Sequence, residues 1–384
     1  MTAYVMTQGS RIIREGRHLV VKLSESASRT LFTYRLSQLV LVGNITLTPP
    51  ALKLLLREGI DTIFLRMDGR YQGRLASPEP KNVFLRKRQF ALTDDEHFCL
   101  SVSRRLLHGK LCNMATVVQR IQRTRTGTLS GDPVGEIRRM LERVGTAATL
   151  DELRGCEGRA AAAYFPALRF GLKDPMGFSR RVRRPPTDPV NSVLSLLYTF
   201  LINRAYAAVR LAGLDPYPGV LHSLDYGRFS LPLDLVEEFR PIIADTLTLS
   251  LFNLGVLKQD DFYIYHIPPP DSPEPGEDLL DQAVNDKLGG MTLAQDEDFF
   301  DMPEQRVESD YNLDEERPAK PAVRLHPDAF AKVVSAFEKK LSAEFYHPLA
   351  ERRLSYGEAL NFQARLYRQV VEGEAAEYHP LLLK

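Results

Sequence analysis

The sequence predicts an α+β chain of two domains, a small strand-rich one followed by a larger helical one. Three observations carry this. Up to about residue 75 the apolar runs have strand length and are punctuated by glycine, whereas beyond residue 82 apolar positions recur at helical spacing. The 384 residues are enough for two cores. The composition, 44% hydrophobic and 26% charged, is that of a globular protein. The boundary falls near residue 90, giving regions 1–90 and 91–384.

In the first region Ala3–Thr7, Arg11–Ile13 and His18–Leu23 read as short strands parted by Gly9 and Gly16. Leu39–Val42 is a continuous apolar strand ending at Gly43. A short helix follows, with Thr48 as its cap, Pro49 at its first position and Gly59 past its end. Ile60–Arg66 returns as a strand, and Asp68-Gly69 turns the chain into Arg70–Leu75.

The period changes in the stretch from Asn82 to Gln89. Asp95 to about Thr124 forms one long helix with a basic face of Arg104, Arg105, Lys110, Arg120 and Arg123, broken by Gly127–Pro133. Glu136–Val144 is a short amphipathic helix, and the Thr149-x-x-Glu152 capping box opens another that runs to about Leu168. Pro189–Gly213 is apolar on nearly all sides, which makes it the central core helix. Pro232–Gly255 is helical with a bend at Pro241. After an insertion at 268–320, one helix runs from His326-Pro327 to about Leu341, and a Ser355/Glu358 capping box opens the last, which ends near Gly373. The tail Tyr378-His379-Pro380 is left free to dock.

Charge is segregated. Residues 271–317 hold sixteen Asp and Glu against Lys287, Arg306 and Arg317, so a chain of net charge +1 is −13 there and +14 elsewhere. Such an acidic, proline-containing tract reads as a flexible insertion, and the basic remainder suits a polyanionic partner. No apolar run reaches bilayer length, and the N-terminus lacks the layout of a signal peptide. Cys99, Cys112 and Cys156 form neither a CxxC pair nor an even framework, which fits reduced thiols in a cytoplasmic protein.

Chemistry concentrates at residues 219–241. His222 sits in a Gly/Pro-flanked loop, and a helix opens ten residues later with Ser230 as its cap and Pro232 in its first turn. Asp234 and Glu237, three apart, share the helical face that leans back towards that loop. One imidazole and two carboxylates there are either part of a divalent-metal site or an ordinary acidic helix start. Glu157, between Gly155 and Gly158 and ahead of four alanines, shares a face with Ala161 and Tyr164. On so small and close-packed a face it is either a ligand or a buried ion-pair partner. Asn191 either orients groups of the site or bonds locally. Arg180, Arg181, Arg183 and Arg184 cluster before a proline-rich linker, either solvated or in contact with phosphate.

Taken together, the blocks CEGRAAAAYF, DPVNSVLSLLYTFL, GVLHSLDYGRFSLPLDLVEEFRP and SYGEALNFQARL resemble the CRISPR-associated Cas-one family, over nearly the whole chain. That family is the metal-dependent integrase of spacer acquisition. The resemblance implies an N-terminal β-sandwich-like domain and an all-helical C-terminal catalytic domain. It implies Glu157, His222 and Glu237 as catalytic metal ligands, with Asp234 as an auxiliary acid and Mg²⁺ or Mn²⁺ as cofactor. It further implies a homodimer that joins a Cas-two protein dimer and acts on double-stranded DNA, both prespacer and CRISPR leader–repeat, away from any membrane. Arg104, Arg105, Arg120 and Arg123, with the 180–184 arginines, would hold duplex phosphates. Two other readings are open: a structure-specific metal-dependent repair nuclease, and a non-catalytic DNA-binding scaffold with merely paired carboxylates.

Overall fold

The computed structural model describes residues 1–24, 26–67, 69–75, 82–182, 185–222, 224–267 and 320–383. The N-terminal part carries two four-stranded sheets. Strands β1 (Thr2–Val5), β5 (Gln38–Val42) and β7 (Asp61–Leu65) run parallel, with β8 (Tyr71–Leu75) antiparallel at one edge, in the order β1-β5-β7-β8. The second sheet has the order β4-β3-β2-β6, from β2 (Arg11–Glu15), β3 (His18–Lys22), β4 (Ser28–Phe32) and the two-residue β6 (Thr46–Leu47). Helix α1 (Pro49–Arg57) tucks between β6 and β7.

The apolar run at 39–42 is explained by burial on both faces. Leu39 and Leu41 join Ile12, Leu19 and Val21 of the second sheet and Leu54 and Leu55 of α1 in one hydrophobic cluster. Val40 and Val42 point the other way and, with Ile63 and Leu65, belong to the core of the helical part. The strand-rich region is therefore fixed to the helices through one sheet face. Strand β4 escapes sequence reading because its residues are mostly exposed at a sheet edge and show no apolar alternation. Thr48 occupies the expected cap position of α1, but its hydroxyl donates to the Ile12 carbonyl instead of accepting from the helix.

The helical part comprises α2 (Val83–Thr93), α3 (Glu96–Thr124), α4 (Pro133–Thr146), α5 (Leu150–Gly171) and α6 (Pro189–Leu211). Asp95 caps α3 through the backbone amides of His97 and Phe98, and Thr149 caps α5 through that of Glu152. Helix α6 is long and apolar enough to cross a bilayer, yet 78% of its most apolar window is buried within the protein, as a central core helix requires. The helix expected over 232–255 is three pieces: α7 (Ser230–Val236), a π-helical turn (Arg240–Asp245) and α8 (Thr246–Asn253). Pro241 lies within the π turn, where the missing amide hydrogen removes one helical bond. Ser230 is the first helical residue and not the cap, a place taken by Phe229.

The C-terminal part is not all-helical. Strands β9 (Phe262–Ile267) and β10 (Lys320–Leu325) pair antiparallel, as do β11 (Glu344–His347) and β12 (Arg352–Ser355), around α9 (Pro327–Ser342) and before α10 (Tyr356–Glu372). The β9–β10 pair was hidden because its strands are separated by the acidic insertion, most of which lies outside the described residues. Nor is the tail free. Tyr378 is fully buried, its hydroxyl 2.9 Å from Glu238 Oε1, and the Leu381 amide donates to Glu238 Oε2 at 2.9 Å.

Candidate metal centre

Asp234, on α7, is wholly buried and fully occupied. Its carboxylate accepts the backbone amides of Val220 at 2.6 Å, Leu221 at 3.1 Å and His222 at 2.9 Å, and lies 2.6 Å from His222 Nδ1. Facing a carboxylate, Nδ1 carries the proton, which leaves the Nε2 lone pair free for a ligand. Nε2 points at Glu237, 3.9 Å from Oε1. The three-residue spacing thus brings two carboxylates to the two nitrogens of one ring. Gly219 is required where the loop crosses the helix start, because a Cβ there would lie 2.7 Å from both Asp234 Oδ2 and Ser230 Cβ.

Glu157 approaches from α5 with its side chain 25% exposed, and Lys110 from α3 stands between the acids. The Lys110 ammonium is 2.5 Å from Glu157 Oε1 and also contacts Glu237 Oε2. Arg240, on the π turn, lies 3.3 Å from Glu237 Oε1. Burial alone would raise the pKa of Glu237, but the Arg240 guanidinium and the Lys110 ammonium overcome it and hold the carboxyl well below the usual carboxylate range. For Lys110 burial acts downward, and the two glutamates more than reverse it, so the pKa rises.

All four predicted residues therefore meet at one place. Among the described residues, however, no three His, Cys, Asp or Glu side chains stand ready-gathered around a cation. Lys110 holds Glu157 and Glu237 in their present arrangement. The donors still suit a hard divalent ion. Glu237 Oε2 is buried and touches the Lys110 ammonium without a directed hydrogen bond. Together with a second carboxylate and one imidazole nitrogen it makes the oxygen-rich set that Mg²⁺ and Mn²⁺ take.

The supporting residues divide. Tyr164 is buried and donates to Asp245 Oδ2 at 2.8 Å, while Tyr198 donates to Oδ1 at 2.7 Å. Asp245 ends the π turn that carries Arg240, so Tyr164 bears on the site through that turn and not by touching a ligand. Burial raises the Asp245 pKa to about 6 against these hydrogen bonds and against Arg240 and Arg181. Asn191 bonds locally: its amide donates to the Arg180 carbonyl and Asp188, and its oxygen accepts from Arg181 and the Val182 amide.

The arginines are equally mixed. Arg104 donates to the Ala147 carbonyl, Arg105 pairs with Glu377, and Arg181 bonds Asn191 and Ser195. Arg120, Arg123 and Arg180 are exposed, and Arg183 and Arg184 lie outside the described residues. The glycines beside Glu157 do not serve close packing, since a Cβ at Gly155 or Gly158 would meet nothing within 4 Å. They leave a bare strip of helix open to solvent next to that carboxylate.

Two site residues escaped the sequence reading. Lys110 is not on the exposed basic face of α3 that its charge suggests: its spacing from Leu106, Leu107, Met114 and Val117 puts it on the buried stripe. Arg240 gave no signal, because the π turn that aims it at Glu237 has no sequence period of its own.

Comparison with known proteins bears on the family and the fold. The family model described as "CRISPR associated protein Cas1" matches residues 3–266. A CRISPR-associated endonuclease Cas1 of Thermus thermophilus is 31% identical over 99% of this chain and 97% of its own length. Among solved structures, a chain of a Cas6-RT-Cas1–Cas2 complex superposes with a TM-score of 0.77 at 21% identity; all of this chain is covered, but only 36% of that longer one. A casposase bound to an integration product superposes at 0.75 with 17% identity, over 98% of this chain and 92% of the other.

Proposed function

We propose that this chain, which belongs to the CRISPR-associated Cas1 family, is a metal-dependent DNA endonuclease and integrase that inserts new spacers into a CRISPR array. The observation that carries the reading is the convergence of Glu157, Glu237 and His222 Nε2 from three separate segments, with Asp234 fixing the imidazole. Relatives named as Cas1 endonucleases and the likeness to a casposase on its integration product support integration over repair. The likeness to a Cas1–Cas2 complex supports a Cas2 dimer as partner of a homodimer of this chain. We take the strand-rich region up to about residue 90, which has a hydrophobic cluster of its own, as one domain and the residues beyond it as the catalytic domain, working in the cytoplasm.

Glu157, His222 and Glu237 would hold Mg²⁺ or Mn²⁺. A bound ion supplies Lewis-acid polarisation of the scissile phosphate and charge stabilisation at the leaving oxygen. The protein's share is positioning. Asp234 fixes the imidazole tautomer, so that His222 acts as a ligand and not as a general base. Arg240 keeps Glu237 ionised and aimed. The bare strip at Gly155 and Gly158 gives a DNA strand room to lie against Glu157. Exposed Arg120, Arg123 and Arg180 contact phosphates, while Arg104, Arg105 and Arg181, tied up within the chain, serve mainly to build the surface. In the reaction a DNA 3′-hydroxyl attacks a phosphodiester of the repeat; water in its place gives hydrolysis.

The test is transfer of a 3′-hydroxyl duplex into a plasmid carrying a leader and repeat, with the cognate Cas2 protein present. Products at the repeat borders, absent from a plasmid without a repeat, are expected. Equal nicking of both plasmids and of branched DNA would establish the repair nuclease instead.

A further inference from the structure

Lys110 stands at the centre of the site without being one of its ligands. A lysine with a side chain only 10% exposed, inserted between two carboxylates, is not a surface residue caught by chance. It puts a tethered cation against Glu157 and Glu237, two of the three side chains assigned to the divalent ion. The third donor, His222 Nε2, is 3.9 Å from Glu237 Oε1.

We infer that Lys110 is a resident counter-cation seated in the divalent ion's place, and that the ion binds by displacing it. The inference rests on the metal reading above. Its physical ground is charge balance. Without a cation, the buried carboxylate of Glu237 and the half-buried one of Glu157 repel each other and lose solvation, so the metal-free fold would be penalised. A lysine removes the penalty, and its flexible stem lets the ammonium withdraw where a fixed guanidinium fork would not. The consequence is a site that folds without metal but binds it more weakly, because the ion must first break two ion pairs.

The test measures Mn²⁺ alone, by the electron paramagnetic resonance of free Mn²⁺ in titrations of the full-length chain without DNA. Lys110→Met and the polar Lys110→Gln are compared with wild type. Both variants are expected to bind Mn²⁺ about tenfold more tightly or better, a difference equal to the removal of one modest competing interaction. They should also melt at lower temperature when metal-free and gain more from added Mn²⁺ than wild type does. Unchanged or weaker Mn²⁺ binding in a folded variant overturns the inference and makes Lys110 a permanent part of the site. Glu157→Ala separates the two levels: if it leaves wild-type Mn²⁺ binding intact, the ion sits elsewhere and the metal reading falls first. If neither wild type nor the lysine variants bind Mn²⁺, both fall together.

Discussion

At the scale of single residues, Asp234 orders the loop that carries His222, accepting the amides of Val220, Leu221 and His222 and facing the imidazole. The interval between Asp234 and Glu237 fixed their shared face, and the loop before them delivered His222. Nothing local shows that Asp234 would take three backbone amides as well as the imidazole. This makes Asp234 a positioning residue. Asp234→Asn turns an acceptor into a donor facing donors, and is expected to weaken Mn²⁺ affinity by about 10–100-fold and stability by ~1–3 kcal/mol. Activity that excess Mn²⁺ fails to restore would place Asp234 on the metal itself. Asp245 gives a pH prediction. Its folded pKa, raised by burial to about 6, lies above the ordinary carboxylate value, so the native state holds this proton more tightly than the unfolded chain. Its stabilising contribution is complete below about pH 4 and is lost as pH rises through 6. Asp245→Asn should remove that slope, so urea melts at pH 4.5 and 7 should show the variant gaining on wild type as pH rises. A constant difference would mean Asp245 does not titrate in this range.

At the scale of elements, the helices with capping boxes could be read directly, because a cap is a local event: Thr149 and Ser355 each bond the amides expected of them. The exposed edge strand at 28–32 and the pairing of Phe262–Ile267 with Lys320–Leu325 could not, since one lacks an apolar pattern and the other closes across a long insertion. Helix α5 was located correctly, but its glycines were misread as close-packing devices. Gly158 faces open space, so Gly158→Ala should stabilise the fold by about 0.5–1 kcal/mol through helix propensity. Gly158→Leu, at the same open position, should leave Mn²⁺ affinity unchanged and lower strand transfer by about tenfold or more, through misplacement of the DNA. Full activity in Gly158→Leu would show that no strand lies along that surface.

At the scale of the whole molecule, the separation of charge remains the sequence's plainest statement, and the structure adds where it is anchored. Ile267 pairs with Lys320, so the two ends of the acidic insertion are already brought together by the β9–β10 ladder. Replacing 271–317 by a short Gly/Ser linker should therefore leave the fold intact. It also removes a charge of −13, so nonspecific duplex binding should tighten, most at low salt where screening is weakest. Affinity unchanged across the salt series would make the insertion a spacer without electrostatic effect. In the proposed function Glu157, His222 and Glu237 act together on the reacting phosphate while other residues supply DNA affinity. The most direct measurement is Mn²⁺-supported strand transfer by Glu157→Ala, His222→Ala and Glu237→Ala, each with its duplex affinity measured in parallel. All three variants are expected to lose strand transfer and bind DNA close to wild type, whereas near wild-type transfer by any one of them would show that its residue does not act on the phosphate.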